Sequence, residues 1–143
     1  MTHTLLIYHK KLEAWINPGG HCDDVESVHK TALLETFEET GLKNISAAAG
    51  LLDLHCYDYI KTKKPKEKDA DFDTAILVFA DMDEKITLAD REVGGYKWVK
   101  IDDLLRIRDK SSFRRIVPKV QAIRQAPKKT RIVKIHALKF TSP

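Results

Sequence analysis

Cysteine is nearly absent: Cys22 and Cys56 are the only two in 143 residues, and they stand in no C-x-x-C spacing. Two thiols cannot supply the disulfide framework of a small secreted domain, so free thiols in a reducing compartment are expected. Long apolar runs are absent as well. No uninterrupted stretch approaches the roughly 20 residues that a membrane-spanning helix needs. The apolar core of residues 1–10 is too short for a signal peptide. A soluble, cytoplasmic protein with no membrane partner is therefore expected. There is no internal repeat and no low-complexity tract. A composition of 43% hydrophobic and 32% charged residues is that of an ordinary globular domain and excludes disordered and collagen-like polymers. The length favours one domain spanning residues 1–143.

Charge is unevenly placed. The formal net charge is +4. Residues 106–143 hold 12 Lys or Arg and a single acid, Asp109, so this segment carries +11 and residues 1–105 carry −7. The basic C-terminal helix and tail at 106–143 read as part of the same domain. Such a segment either docks on the acidic body or on another subunit, which leaves a homodimer open, or meets an anionic partner. Docking is the favoured expectation. Arg114-Arg115 and Lys128-Lys129 could meet phosphates, but few aromatics interleave them, so nucleic acid is a disfavoured though not excluded partner.

Periodicity and turn residues give the coarse order of elements. Residues 4–9 and 14–17 read as strands joined by a turn at 10–13. Pro18-Gly19-Gly20 opens a loop. A helix runs from an N-cap at Ser27 to Thr40, with Gly41 as its C′ residue. Residues 45–59 and 74–80 read as strands on either side of a charged loop at 61–69, and 95–101 as another strand. A short helix at 102–106 and a longer one at 112–125 follow, with Pro118 kinking the latter or marking its start. Residues 132–135 read as a last strand or an extended tail. Interspersed strands and helices place the fold in the α/β or α+β class.

The chemistry is concentrated on the 27–40 helix. Glu35, Glu38 and Glu39 are spaced i, i+3, i+4, so their carboxylates share one face, while Leu33 and Phe37 point to the opposite side. Like charges at this spacing weaken a helix, and acids near its C-terminus oppose the macrodipole. Local rules broken twice in one turn point to a site that needs the acids. Hard oxygen donors on one face suit Mg²⁺ or Mn²⁺, whereas an exposed acidic face is the alternative for the triplet alone.

The wider spacing resembles the Nudix box, G-x5-E-x7-R-E-U-x-E-E-x-G-U, where U is a bulky apolar residue. Gly20, Glu26, Glu35, Glu38, Glu39, Gly41 and Leu42 fall in register with it. The resemblance extends over about residues 4 to 105. It includes the Pro18-Gly19-Gly20 lead-in and a strand Tyr96-Lys97-Trp98-Val99 followed by an Asp-Asp-Leu-Leu helix. Two positions depart: Leu34 stands where the box has arginine, and Thr36 where it has an apolar residue. The resemblance implies an α/β/α sandwich with a mixed sheet on which the box helix packs. It implies a metal-dependent hydrolase that cleaves a nucleoside diphosphate linked to X into a mononucleotide and phospho-X. Carried over residue by residue, Glu38 and Glu39 would ligate the metal beside the carbonyl of Gly19. Glu35 would be a further ligand or the base that positions water, and Glu26 a supporting carboxylate. Glu92 is the candidate distal acid. The missing box arginine, which in the family helps orient the glutamates, raises a second reading: a nucleotide-binding module with little or no turnover.

Other candidates are weaker. Gly20 and His21 could face the phosphates. Asp53 and His55 share a strand face by alternation, as do Asp69, Asp71 and Asp73. His55 and Asp71 are candidates to line the substrate pocket, against the alternative of a polar outer strand face. Tyr57, Phe72 and Tyr96 could stack a base, whereas Trp98 is expected in the core.

Overall fold

The computed structural model describes residues 1–22, 27–60, 68–107, 111–126 and 134–136, with 57–60, 68–71, 107, 111 and 134–136 described by backbone alone. In chain order the elements are β1 (His3–His9), β2 (Ala14–Ile16), α1 (Val28–Thr40), β3 (Ser46–Ile60), β4 (Lys68–Phe79), β5 (Val93–Lys100), α2 (Leu104–Ile107), α3 (Ser111–Gln125) and β6 (Lys134–His136), with a 3-10 turn at Ile101–Asp103 before α2.

β1 is the middle layer. Its run Leu5-Leu6-Ile7 is buried, and neighbouring side chains leave a strand on opposite faces. Leu6 packs with Val99, Ile101, Leu104, Phe113, Val117 and Val120, on the side that carries α2 and α3. Leu5 packs with Leu33, Leu42, Ile45 and Ala47, flanked by Phe37, Ile76 and Trp98, on the side that carries α1. A strand covered on both faces reads as a continuous apolar run, and each fully buried Leu or Ile contributes about 1.5–3 kcal/mol. The layered α/β arrangement and the core position of Trp98 are as expected. The strands form two three-stranded sheets, β2-β1-β5 and β4-β3-β6. Every pairing among the described residues is antiparallel, so the parallel pairing of a mixed sheet is not among them.

Two boundaries differ from expectation for a shared reason. β4 begins at Lys68, not at Thr74, because β3 pairs with it without a break from Asp53↔Ala75 to Ile60↔Lys68. Cross-strand pairing overrides the poor strand propensity of the aspartates. Lys68 and Asp69 thus leave the expected charged loop, and 61–67 lie outside the described residues. The register of β3 slips between Ala47 and Asp53, around Gly50, as a bulge requires. Past the slip the hairpin forms an arm on which Leu54 and Phe72 are 57% and 64% exposed, with exposed Cys56 paired opposite Phe72. No helix among the described residues is long and apolar enough to cross a membrane.

α3 keeps Pro118 in its interior rather than starting there. Phe113, Val117 and Val120 recur at helical spacing and are all buried, and this packing outweighs the roughly 3 kcal/mol cost of an interior proline. The basic segment is therefore in contact with the acidic body over its first helix. Asp53 of β3, only 6% exposed, accepts from Lys119 Nζ at 2.6 Å and from Arg115 Nε at 2.9 Å. Asp102 accepts from Gln121 at 2.9 Å and pairs with Arg124 at 3.3 Å.

The hydrogen bond from Lys119, followed by that from Arg115, holds the Asp53 carboxyl below its usual value of 3.8 against the opposing effect of burial. A depressed carboxyl contributes stability above its unfolded pKa and loses it as pH falls through the folded one. Asp53→Asn should destabilise the protein by about 1–3 kcal/mol at pH 7, since two cations lose a buried partner. In urea titrations from pH 6 to pH 2.5, the difference from wild type should shrink below about pH 4. A constant difference across that range would show that the charge on Asp53 is not what holds α3.

Candidate active site

α1 is defined at both ends by its caps. Ser27 accepts from the Lys30 N–H at 3.5 Å. Gly41 adopts φ +70° and donates to the Phe37 carbonyl at 2.7 Å. A Cβ at Gly41 would also lie 3.0 Å from the Thr87 carbonyl oxygen, so the position demands glycine twice over. The buried residues of α1 are Thr31, Leu33, Thr36, Glu39 and Thr40. Each threonine hydroxyl donates to a carbonyl one turn earlier: Thr31 to Ser27 at 3.3 Å, Thr36 to Ala32 at 2.7 Å, and Thr40 to Thr36. A threonine can therefore occupy the box's apolar position at 36 without a buried unsatisfied hydroxyl.

Glu35, Glu38 and Glu39 share one face of the same helix. Glu38 is exposed, Glu35 is half-buried, and Glu39 is only 4% exposed. The Gly19 N–H donates to Glu39 Oε2 at 3.0 Å, which seats the 18–20 loop against the helix. Gly20 lies so close to Glu35 that a Cβ would meet its carboxylate at 2.5 Å. Any side chain at 20 would thus push the Glu35 carboxylate aside. From the opposite direction the 86–92 segment crosses the end of α1. Thr87 N–H donates to the Thr40 carbonyl at 2.8 Å and Ala89 N–H to the Glu39 carbonyl at 3.3 Å. Glu92 follows directly.

Burial pushes the Glu39 carboxyl up to about 7 from its usual 4.5, the Gly19 hydrogen bond opposes this, and the charges of Glu35, Glu92 and Glu38 push it further. The site therefore holds a nearly buried carboxylate with three like charges near it. These are all oxygen donors, and the set fits a hard divalent cation. Among the described residues no three His, Cys, Asp or Glu side chains already converge on one point. Magnesium sites commonly use one or two carboxylates and complete the shell with water and substrate phosphate.

The structure thus brings together Gly19, Gly20, Glu35, Glu38, Glu39 and Glu92. Glu26 lies outside the described residues, as does the side chain of Asp71, although the Asp71 backbone is in β4. His21 is exposed directly after Gly20, and His55 is exposed on β3 two residues from Asp53, whose carboxylate is committed to α3. Leu34 is half-buried and belongs to neither core cluster. Sequence reasoning passed over His29, whose Nε2 is buried with no hydrogen-bond partner among the described residues. Its signal was the helical spacing that aligns it with the buried Leu33, Thr36 and Thr40.

The raised carboxyl has a consequence in the metal-free protein. The folded state binds this proton more tightly than the unfolded chain, so its stability is complete below about pH 4.5 and falls as pH rises through 7. Unfolding in EDTA should show wild type losing on the order of 2–3 kcal/mol between pH 4.5 and pH 8 through this group. Glu39→Gln, which keeps an acceptor for the Gly19 N–H, should lose much less. Equal slopes in the two proteins would exclude the buried carboxylate as the cause.

A family model described as the NUDIX domain matches residues 2–120. The asymmetrical bis(5'-nucleosyl)-tetraphosphatase of Rattus norvegicus is 34% identical over 100 residues, which is 65% of this chain and 60% of that protein. The chain thus spans 60% of the length of that curated relative. Among solved structures, a binary complex of the C. elegans Ap4A hydrolase superposes with a TM-score of 0.65, at 20% identity over 85% of each chain. A second structure of the C. elegans enzyme gives 0.61 with the same identity and coverage. At that identity the likeness shows a shared fold. The family match runs from β1 into α3 and takes in every element that builds the carboxylate cluster: the chain belongs to the Nudix family.

Proposed function

We propose that the protein is a metal-dependent pyrophosphohydrolase. Its substrate is a nucleoside diphosphate linked to X, cleaved by water into a mononucleotide and phospho-X. The observation that carries this reading is the buried Glu39 carboxyl among Glu35, Glu38 and Glu92, on the helix that bears the family box. The names of the relatives make a dinucleoside tetraphosphate the first substrate to try, with X then a second nucleotide's phosphate chain. Nudix hydrolases generally use divalent ions, and Mg²⁺ or Mn²⁺ suits these donors.

Glu38, Glu39 and the Gly19 carbonyl would hold the ion, with Glu35 and Glu92 as the further carboxylates and Glu26 in support. When bound, a divalent ion neutralises charge on the phosphate oxygens during in-line attack. The chain's own work is to keep these acids in place. Gly19 donates to Glu39, Gly20 leaves room for Glu35, and the 86–92 segment carries Glu92 to the same corner. His21 is offered as a phosphate-facing residue, and His55 and Asp71 as pocket residues on the β3–β4 arm. The docking of α3 through Asp53 supports taking 106–143 as part of the same domain, and it engages cations that a nucleic-acid site would need free. The two free thiols support a reducing, cytoplasmic setting.

Hydrolysis of dinucleoside tetraphosphate should require added Mg²⁺ or Mn²⁺. Glu38→Gln or Glu39→Gln should each lower kcat by at least about 100-fold, because each removes a charged ligand where transition-state charge is stabilised. Full activity in EDTA, or near wild-type rates in both variants, would sink the assignment.

Leu34 favours the second reading, a nucleotide-binding module with weak turnover, since leucine cannot donate to a carboxylate. Its half-buried place outside both core clusters means that a longer side chain there need not enter the core. Leu34→Arg should therefore fold and raise the hydrolytic rate without changing which substrates are used. A folded variant with no gain would show that another group already orients the glutamates.

A further inference from the structure

Lys10, at the end of β1, grips the segment that carries Glu92 at two points. Its backbone N–H donates to the Glu92 carbonyl at 2.8 Å, and its Nζ donates to the Asp90 carbonyl. The aliphatic stem between these bonds runs along Gly94, where a Cβ would lie 3.4 Å from Lys10 Cγ and 3.5 Å from Cε. Gly94 sits where the pairing of β1 with β5 slips between Ile7 and His9, so the bulge and the missing side chain together make the path for the lysine. The same segment is bonded on its other side to the Thr40 and Glu39 carbonyls of α1. It is thus suspended between the helix that bears Glu38 and Glu39 and the strand end that bears Lys10. Glu92 itself is exposed, so neither packing nor burial of its own side chain sets its position.

We propose that Lys10 is a positioning residue: through the Asp90 carbonyl it fixes the 89–92 turn and so sets where the Glu92 carboxylate stands relative to Glu39. The inference rests on the metal-site reading above and concerns a residue outside the box. Its sign separates it from simple electrostatics. An ammonium near a cation site repels the ion, so if Lys10 acted only by charge, removing it would tighten metal binding. A positioning role requires the opposite.

The test is Mn²⁺ titrated into the intact protein, with free ion read by electron paramagnetic resonance. Lys10→Met keeps the stem on Gly94 and removes the donor. It should weaken Mn²⁺ binding about threefold to tenfold, the scale of one lost hydrogen bond. Lys10→Arg, which retains donor and charge, should stay within about twofold of wild type. In a Glu92→Gln background, Lys10→Met should have no further effect, because the group it places is gone. Unchanged or tighter binding in Lys10→Met overturns the proposal, as does an equal loss in the Glu92→Gln background. If wild type shows no saturable Mn²⁺ site, or Glu39→Gln does not weaken it, the metal-site reading itself fails and the role of Lys10 with it. Wild-type binding that is sensitive to Glu39→Gln but indifferent to Lys10 removes this inference alone.

Discussion

A nearly buried carboxylate at the wrong end of a helix is the constraint around which the rest is arranged. Glu39 sits in the last turn of α1, where the macrodipole disfavours negative charge, and no basic side chain lies in that turn to answer it. The answer comes from backbone N–H groups. Gly41 donates to the Phe37 carbonyl, Ala89 to that of Glu39 and Thr87 to that of Thr40, while Gly19 donates to the Glu39 carboxylate itself. Two loops and a cap are thus committed to one helix end. The positive φ of Gly41 and the tight approach of Gly20 follow from that commitment.

What was legible in the sequence was what depends on spacing. Ser27 and Gly41 bracket α1, and Glu35, Glu38 and Glu39 share a face, because cap chemistry and the helical repeat act over a few residues. Glu92 was legible only as an acid before a strand; its approach to Glu39 depends on hydrogen bonds from the 86–92 segment to α1, which no local pattern encodes. Thr36 read as a departure from the box, yet its hydroxyl is satisfied within the helix by Ala32, a substitution that the packing absorbs. The alternation of Asp69, Asp71 and Asp73 was legible as a strand face, but that β4 runs unbroken from Lys68 depends on β3 being there to pair with it. Asp53 read as a face-mate of His55, and its ion pairs could not be seen without the fold that brings α3 across β3.

The charge asymmetry is put to structural use at that contact. Lys119 and Arg115 converge on one buried carboxylate, and Arg124 with Gln121 on an exposed one. This contact specifies a single placement for the helix, since a slide along β3 would leave the nearly buried Asp53 carboxylate without its cations. The exposed pair adds little energy of its own. The apolar ridge of Phe113, Val117 and Val120 supplies attraction and Asp53 supplies register.

The β3–β4 arm has a practical side. Cys56 is exposed there, with Leu54 beside it along the strand and Phe72 across from it, all facing solvent. An uncovered thiol with apolar neighbours is both sticky and oxidisable. In air, two chains that touch at this arm can lock together through sulfur, and the resulting cross-linked species would elute as a dimer in a sizing column. Purified stocks kept without reductant would then report the history of the sample rather than how the protein associates in a cell.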